Sequence, residues 1–454
     1  MSRGQLQWAS FNLTLLLEPH PVSAIIPDAP GQVRVHATLR VRNPGSDTAA
    51  RVVFYLYRLL AVNSARLPHT EEPLRVRQRP QRAGFMEVNR VTLELPRPLA
   101  PGGEIDVSMH YGGPLVGYRE VMPYVHDSVQ RQFALLRPES LWYPVPAGPR
   151  PEGLDTILGR ASVPPPAHIA VEVPNGWLTV VPGAVPGGTA RAFQVDAPPL
   201  GLIVVAGRFR RVAEGAVTLV YLPGYRTWAE RALAVCRLTE DTLRDWLGDP
   251  LPWRRRGLSI VQVPRGWGSQ NLGDVILQEG PQSSRQMLPA LAHEVAHFWT
   301  PLDRDRFHEG LANYLQALIE EQVRPGQGFF ASLVPRLPVL WDPAAMAEPL
   351  VGASAHAELD RVSRDKGALA LAVLDTLLGR PVLLRVVRDW LHLPHAEEAG
   401  AEEFASYVTA RLADHPKDVS RLVHDWFRGE SLIPPPVSRL VPQAVRELAA
   451  RYHA

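Results

Sequence analysis

The chain has 454 residues, 46% of them hydrophobic, and a formal net charge of +2. That length exceeds what one hydrophobic core usually serves, so two or more domains are expected, while 34 glycines and 45 prolines fall short of the composition of a disordered chain. The near-neutral charge balance, with no long basic run, predicts no nucleic-acid partner, and no stretch approaches the roughly 20 apolar residues of a membrane span.

Of 48 basic residues only Lys366 and Lys417 are lysines, a skew that reflects genome composition rather than function. Cys236 is the one cysteine, which excludes an internal disulfide. Leu13 to Leu17 is too short for a signal core, so a soluble protein of the cytoplasm is expected.

The first two hundred residues alternate with the period of strands. Phe11, Leu13, Leu15 and Leu17 share one face; Val33, Val35, Ala37, Leu39 and Val41 share another, against Arg34, His36, Thr38, Arg40 and Arg42. Further strands are predicted at 51–57, 91–95, 104–111, 168–173, 177–181 and 202–206, separated by turns rich in proline and glycine. Residues 1–209 therefore read as a β-rich N-terminal domain, an antiparallel sandwich or saddle.

After Arg211 the pattern changes. A strand at 217–222 and a helix from about Trp228 to Leu247 precede strands at 258–263 and 272–278, and helices follow to the end. Cys236 falls on the apolar helix face with Ala232, Val235, Leu243 and Trp246, as a buried thiol would. The triplet Arg254-Arg255-Arg256 reads as an exposed connection. The glycines from Gly266 to Gly273 lead into a strand, with no Lys-Ser or Lys-Thr, so they do not form a phosphate loop. Leu272 to Leu277 could present a free sheet edge to an extended peptide.

The most informative segment is His293-Glu294-Val295-Ala296-His297. Residues four apart on a helix project from one face, so two imidazoles can meet a single zinc ion with Glu294 beside them as a base for water. The flanking Met287, Leu288, Leu291, Val295, Phe298 and Trp299 make the helix mostly apolar. Two histidines and a glutamate in that setting are costly without partners or a metal. Pro301 predicts the helix end near Thr300.

A catalytic zinc needs three protein groups. A second helix, capped by Asp303 or Asp305, carries Glu309 one turn inside, and Glu309 is the favoured third ligand. Asp303 and His308 are its rivals. Glu320 shares the helical face of Glu309 but lies roughly 16 Å farther along the axis, too far to share the ion.

The pairing of His293-Glu-Val-Ala-His297 with Glu309-Gly-Leu-Ala-Asn-Tyr resembles the aminopeptidase N family of gluzincin zinc metallopeptidases, where the glutamate of an N-E-G-F-A-like segment is the third ligand. Asp365-Lys366-Gly367-Ala368-Leu369 looks like that family's Y-x-K-G-A segment, and Trp267-Gly268-Ser269-Gln270-Asn271 occupies the place of its G-A-M-E-N loop. The resemblance implies an α+β fold, with the N-terminal β domain followed by a thermolysin-like mixed-sheet and helical catalytic domain over 210–454. It also implies one Zn2+ ion on His293, His297 and Glu309, a peptide substrate, and substrate contacts from Gly268, Gln270 and Asn271.

Three departures accompany the resemblance. Eleven residues, Phe298 to His308, separate the second histidine from Glu309, a shorter connection than that family has. Gln270 stands where the family has a glutamate that holds the substrate's amino group, which implies altered specificity. Arg364 stands where the family has a tyrosine; a permanent cation can stabilise an oxyanion but cannot donate and retrieve a proton. Tyr314 is no substitute, being about 140° around its helix from Glu309.

The sequence thus predicts a zinc metallopeptidase, aminopeptidase-like with altered specificity, in which Glu294 is the general base and acid and Arg364 an electrostatic aid. The alternative is a zinc-stabilised protein that binds peptides or a partner with little turnover.

Overall fold

The computed structural model describes the chain except for residues 1–5, 21–29, 123–124, 149, 185–190, 197–199, 216, 252–257, 268, 301–305, 327, 353–361, 395–398, 416, 430–432 and 454. Among the described residues, the part of the chain up to Gly207 carries three sheets. One has six strands in the order Ala192–Val195, Ala167–Glu172, Gln7–Glu18, Gln32–Arg42, Glu104–Pro114 and Ala61–Arg66. The alternation read from the sequence is its cause: Phe11, Leu13, Leu15 and Leu17 are buried along with Val33, Val35, Ala37, Leu39 and Val41. Each valine, leucine or phenylalanine among them contributes about 1.5–3 kcal/mol by leaving water.

The expectation of a purely antiparallel domain is corrected at one pair. Gln7–Glu18 and Ala167–Glu172 run parallel, Phe11 opposite Ala167. A parallel pair needs a long crossover, and about 150 residues intervene, so no local pattern announces it.

A second sheet orders Val145–Pro146, Ala49–Tyr57, Met86–Leu99 and Arg75–Ala83. The last strand has no apolar alternation and is exposed along most of its length, which suits an edge strand containing Pro80. The third sheet orders Leu178–Val180, Val204–Gly207, Phe133–Leu136 and Ser128–Val129.

The fourth sheet is mixed: Arg210–Glu214, Val217–Tyr221, Leu258–Val263, Val275–Glu279 and Gln270–Asn271, its three middle strands mutually parallel and both outer ones antiparallel. Its two faces serve two cores. Leu219, Ile260 and Ile276 pack among the helices, while Val220, Val261, Val275 and Leu277 pack with Phe133, Leu135, Ile203, Val205 and Phe209 from the preceding sheets. Near-continuous apolar strands are what a sheet covered on both faces requires.

The helices are α1 (Leu154–Ala161), α2 (Arg226–Leu247), α3 (Ser284–Ala296), α4 (Arg306–Val323), α5 (Gly328–Leu333), α6 (Pro343–Ala347), α7 (Gly367–Leu378), α8 (Arg380–Leu391), α9 (Ala401–Arg411), α10 (Val419–Val423) and α11 (Val441–Ala450). Cys236 is wholly buried on α2, and burial pushes its thiol pKa up, as expected of a structural residue. No helix among the described residues is long and apolar enough to cross a membrane.

Candidate metal centre

Helix α3 stops at Ala296, with His297 as its C-cap, four residues before the end predicted from Pro301. Met287, Leu291, Ala292, Val295 and Ala296 bury one face in the helical core, leaving His293 and His297 on the side that meets α4. On α4, Leu311, Leu315, Leu318 and Ile319 are buried, as helical spacing predicts. A second row on the same helix, Glu309, Asn313, Gln316 and Glu320, is polar and buried too. That row marks α4 as an interior helix with chemistry on one face.

The two helices bring three donor groups together. His293 Nε2 lies 3.4 Å from Glu309 Oε2, His297 Nε2 lies 3.3 Å from Glu309 Oε1, and the two Nε2 atoms are 3.3 Å apart. A tetrahedral ion with bonds of about 2.0–2.1 Å separates its ligand atoms by about 3.3–3.4 Å, the separation of the two imidazole nitrogens and of each from one oxygen of Glu309, so the donor set suits zinc. Neutral imidazole nitrogens and a carboxylate turn lone pairs toward one point, an arrangement a divalent cation satisfies.

Burial disfavours charge on all three groups. At Glu309 the adjacent His297, His293 and His308 outweigh it and hold the carboxyl well below the usual carboxylate range. At His293, Glu309 likewise outweighs burial and raises the imidazole above its ordinary value, whereas at His297 burial prevails and lowers it to about 4. Of the rivals for third ligand, His308 touches Glu309 Oε1 at 3.4 Å but stands outside the converging trio. Asp303 lies outside the described residues, as do Asp305, Gly268 and the Arg254 to Arg256 triplet.

Supporting contacts complete the centre. Thr300 Oγ1, buried, is 3.0 Å from His297 Nδ1 and fixes that ring, while His293 Nδ1 has no such partner among the described residues. Glu294 is 8% exposed. Asn271 donates Nδ2 to the Glu294 carbonyl at 2.7 Å and accepts from the Gly273 amide at 2.9 Å, so its side chain is committed to joining the loop to α3. Gln270 is half-buried beside it.

The sheet edge differs from the expectation. Leu277 and Ile276 are already paired, to Gln270 and Asn271, so the outermost strand is Gln270–Asn271. Arg364 sits in one turn of π-helix, Val362–Lys366, with its side chain exposed and its carbonyl accepting from Asn313 Nδ2 at 3.2 Å. Tyr314 is buried against Phe329, on the other side of α4 from Glu309.

Sequence reading missed Thr300, Asn313 and Arg336. Arg336, in the 3-10 helix Val334–Trp341, donates Nη2 to Asn313 Oδ1 and Nη1 to the Ser332 carbonyl at 2.5 Å. The polar row on α4 was the available signal, since buried polar residues at helical spacing require partners from elsewhere.

No family model and no curated protein matches the sequence. Solved structures of an M1 zinc metallopeptidase from Deinococcus radiodurans do match the fold, at TM-score 0.58 and 19% identity over 97% of this chain and 96% of that one. The chain has the fold of the M1 zinc metallopeptidases. A glutamate-to-alanine variant of the same enzyme bound to a Tyr-Ser-Ala substrate matches at TM-score 0.57 and 18% identity, covering 95% of this chain and 96% of that chain. The variant in a further structure matches at 0.57 and 17%, covering 96% and 97%. These M1 structures are mixed α+β like this chain, and the likeness extends through the N-terminal sheets as well as the helical part.

Proposed function

We propose that this protein is a zinc-dependent metallopeptidase that hydrolyses peptide bonds, aminopeptidase-like with altered specificity. The observation that carries the reading is the 3.3–3.4 Å mutual spacing of His293 Nε2, His297 Nε2 and the Glu309 carboxylate beside buried Glu294. The Tyr-Ser-Ala substrate of the Deinococcus radiodurans enzyme supports peptides as the substrate class. In this reading residues 1–209 form the N-terminal domain and 210–454 the catalytic domain.

His293, His297 and Glu309 would hold the ion. Zinc bound there supplies a Lewis acid that polarises a carbonyl and acidifies water. Glu294 takes the proton of the attacking water and returns it to the leaving amine. The Gln270–Asn271 edge lies beside α3, where an extended peptide can add backbone hydrogen bonds. Gln270 offers an ammonium group a neutral acceptor without full charge, so blocked N-termini should be tolerated better than by a strict aminopeptidase. Arg364 contributes a permanent cation to the oxyanion.

The exposure of Arg364 favours one other reading, a zinc-stabilised peptide-binding protein with little turnover. Metal analysis of unstripped protein, joined to hydrolysis of N-terminally free and blocked peptides with and without chelator, decides between them. Chelator-sensitive cleavage is the expected result. Peptide binding without cleavage supports the second reading, and absence of metal removes both.

A further inference from the structure

The polar row of α4 extends beyond the metal ligand. Asn313, one turn from Glu309, accepts from Arg336 Nη2 with its side-chain oxygen and donates its Nδ2 to the Arg364 carbonyl, so one amide draws together a guanidinium and the backbone of a second arginine. Gln316, a further turn along, accepts from Arg336 Nη2 at 3.5 Å. Among the described residues, all of Arg336's hydrogen bonds go to neutral oxygens. Its Nε is buried without an acceptor, and no carboxylate lies within ion-pairing distance of Arg336 or Arg364 among the described residues. The nearby acids are otherwise engaged. Glu309 faces the histidines, and Glu320 accepts from Arg324, Gln316 and Ser332.

A guanidinium largely withdrawn from water, with its Nε unsatisfied and no anion in contact, is costly to hold unless an anion completes the set, and the exposed Arg364 adds a second positive charge to its surroundings. Burial lowers the pKa of Arg336, the Asp365 and Glu320 charges oppose it, and Arg364 adds a smaller lowering effect that Glu309 opposes in turn. The planar fork of arginine suits a carboxylate in particular.

We propose that Arg336, with Arg364 at its outer side, forms a carboxylate-binding subsite beside the metal ligands, so that the preferred substrates are peptides carrying a carboxylate close to the scissile bond. The proposal rests on the metallopeptidase reading and names the substrate class of that site. Two sources share the chemistry: the free C-terminus of a short peptide and an acidic side chain.

Zinc-loaded full-length protein is given four peptides of one sequence, with the C-terminus free or amidated and with Glu or Gln flanking the cleaved bond. The expected result is a KM at least about tenfold lower for the free acid than the amide, or for Glu than Gln, as one charge-assisted contact gives. Which pair differs identifies the source. In Arg336→Gln and in Arg364→Gln, whose exposed site spares folding, that ratio collapses toward one, while Arg336→Lys keeps part of it. Equal KM values across all four peptides, or a ratio unmoved in both glutamine variants, overturn the subsite. Should no peptide be cleaved, the metallopeptidase reading fails separately, and calorimetric titration of the Glu294→Gln protein with the same four peptides still judges the subsite: tighter binding of one carboxylate form supports it, and equal or absent binding overturns it.

Discussion

Gly367, at the start of α7, faces Gly310 of α4 so closely that a Cβ at Gly367 would lie 2.9 Å from the Gly310 Cα. Gly310 directly follows the candidate ligand Glu309, so the contact sets the depth at which α4 sits.

Gly367→Ala should destabilise the protein by about 1–3 kcal/mol, because the overlap is with backbone that cannot rotate away, and this exceeds the gain of about 1 kcal/mol in helix propensity. Zinc affinity should fall with it, by about tenfold, as α4 is displaced. Chemical denaturation and metal competition measure the two effects. A variant as stable as the parent would mean that the helices part without cost.

Thr300→Val removes the hydroxyl that fixes the His297 ring while keeping the volume of a buried side chain. Zinc affinity is expected to fall about 10–100-fold, read by competition against a chromogenic chelator. An unchanged affinity would show that packing alone orients the ring.

Glu294→Gln should retain zinc and lose hydrolysis by at least about a hundredfold, since the amide cannot take the proton of the attacking water. Steady-state rates and metal content on the same sample test this. Undiminished turnover would remove Glu294 from its role.

Acidification should release the metal. Both histidines bind zinc only when neutral. His293 is held above the ordinary value of 6.5, so it takes a proton first and competes with zinc as the pH drops through that region, and His297, lowered to about 4, follows at more acid pH. Affinity is therefore full only above the raised His293 value and is lost progressively as the pH falls from above 6.5 toward about 4. Metal content that holds unchanged after dialysis at pH 4 would refute the assignment.

Asp127 and Arg137 form an ion pair at 2.9 Å with side chains 0% and 1% exposed, and Arg137 also reaches the Trp267 carbonyl at 3.5 Å. Asp127→Ala leaves a buried guanidinium without its anion and should cost about 3–5 kcal/mol. A shift in the denaturation midpoint measures it, and restored stability in Asp127→Ala combined with Arg137→Met would identify the stranded charge as the cause.

The sequence by itself determined the alternating strands, the apolar face of α3 and the candidate ligands. Each depends on a local period: two residues for Phe11 to Leu17, four for His293 to His297, and one helical turn for the depth of Glu309. Only the tertiary structure decided which faces meet. The parallel pairing of Gln7–Glu18 with Ala167–Glu172, the edge strand Gln270–Asn271, and Arg336 lying across Asn313 all join residues whose spacing in the chain carries no period. Periodicity tells a side chain which way to turn from its own axis; the partner it finds there is set by how distant elements pack, because burial is non-directional and only close packing and hydrogen bonding select among the possible neighbours.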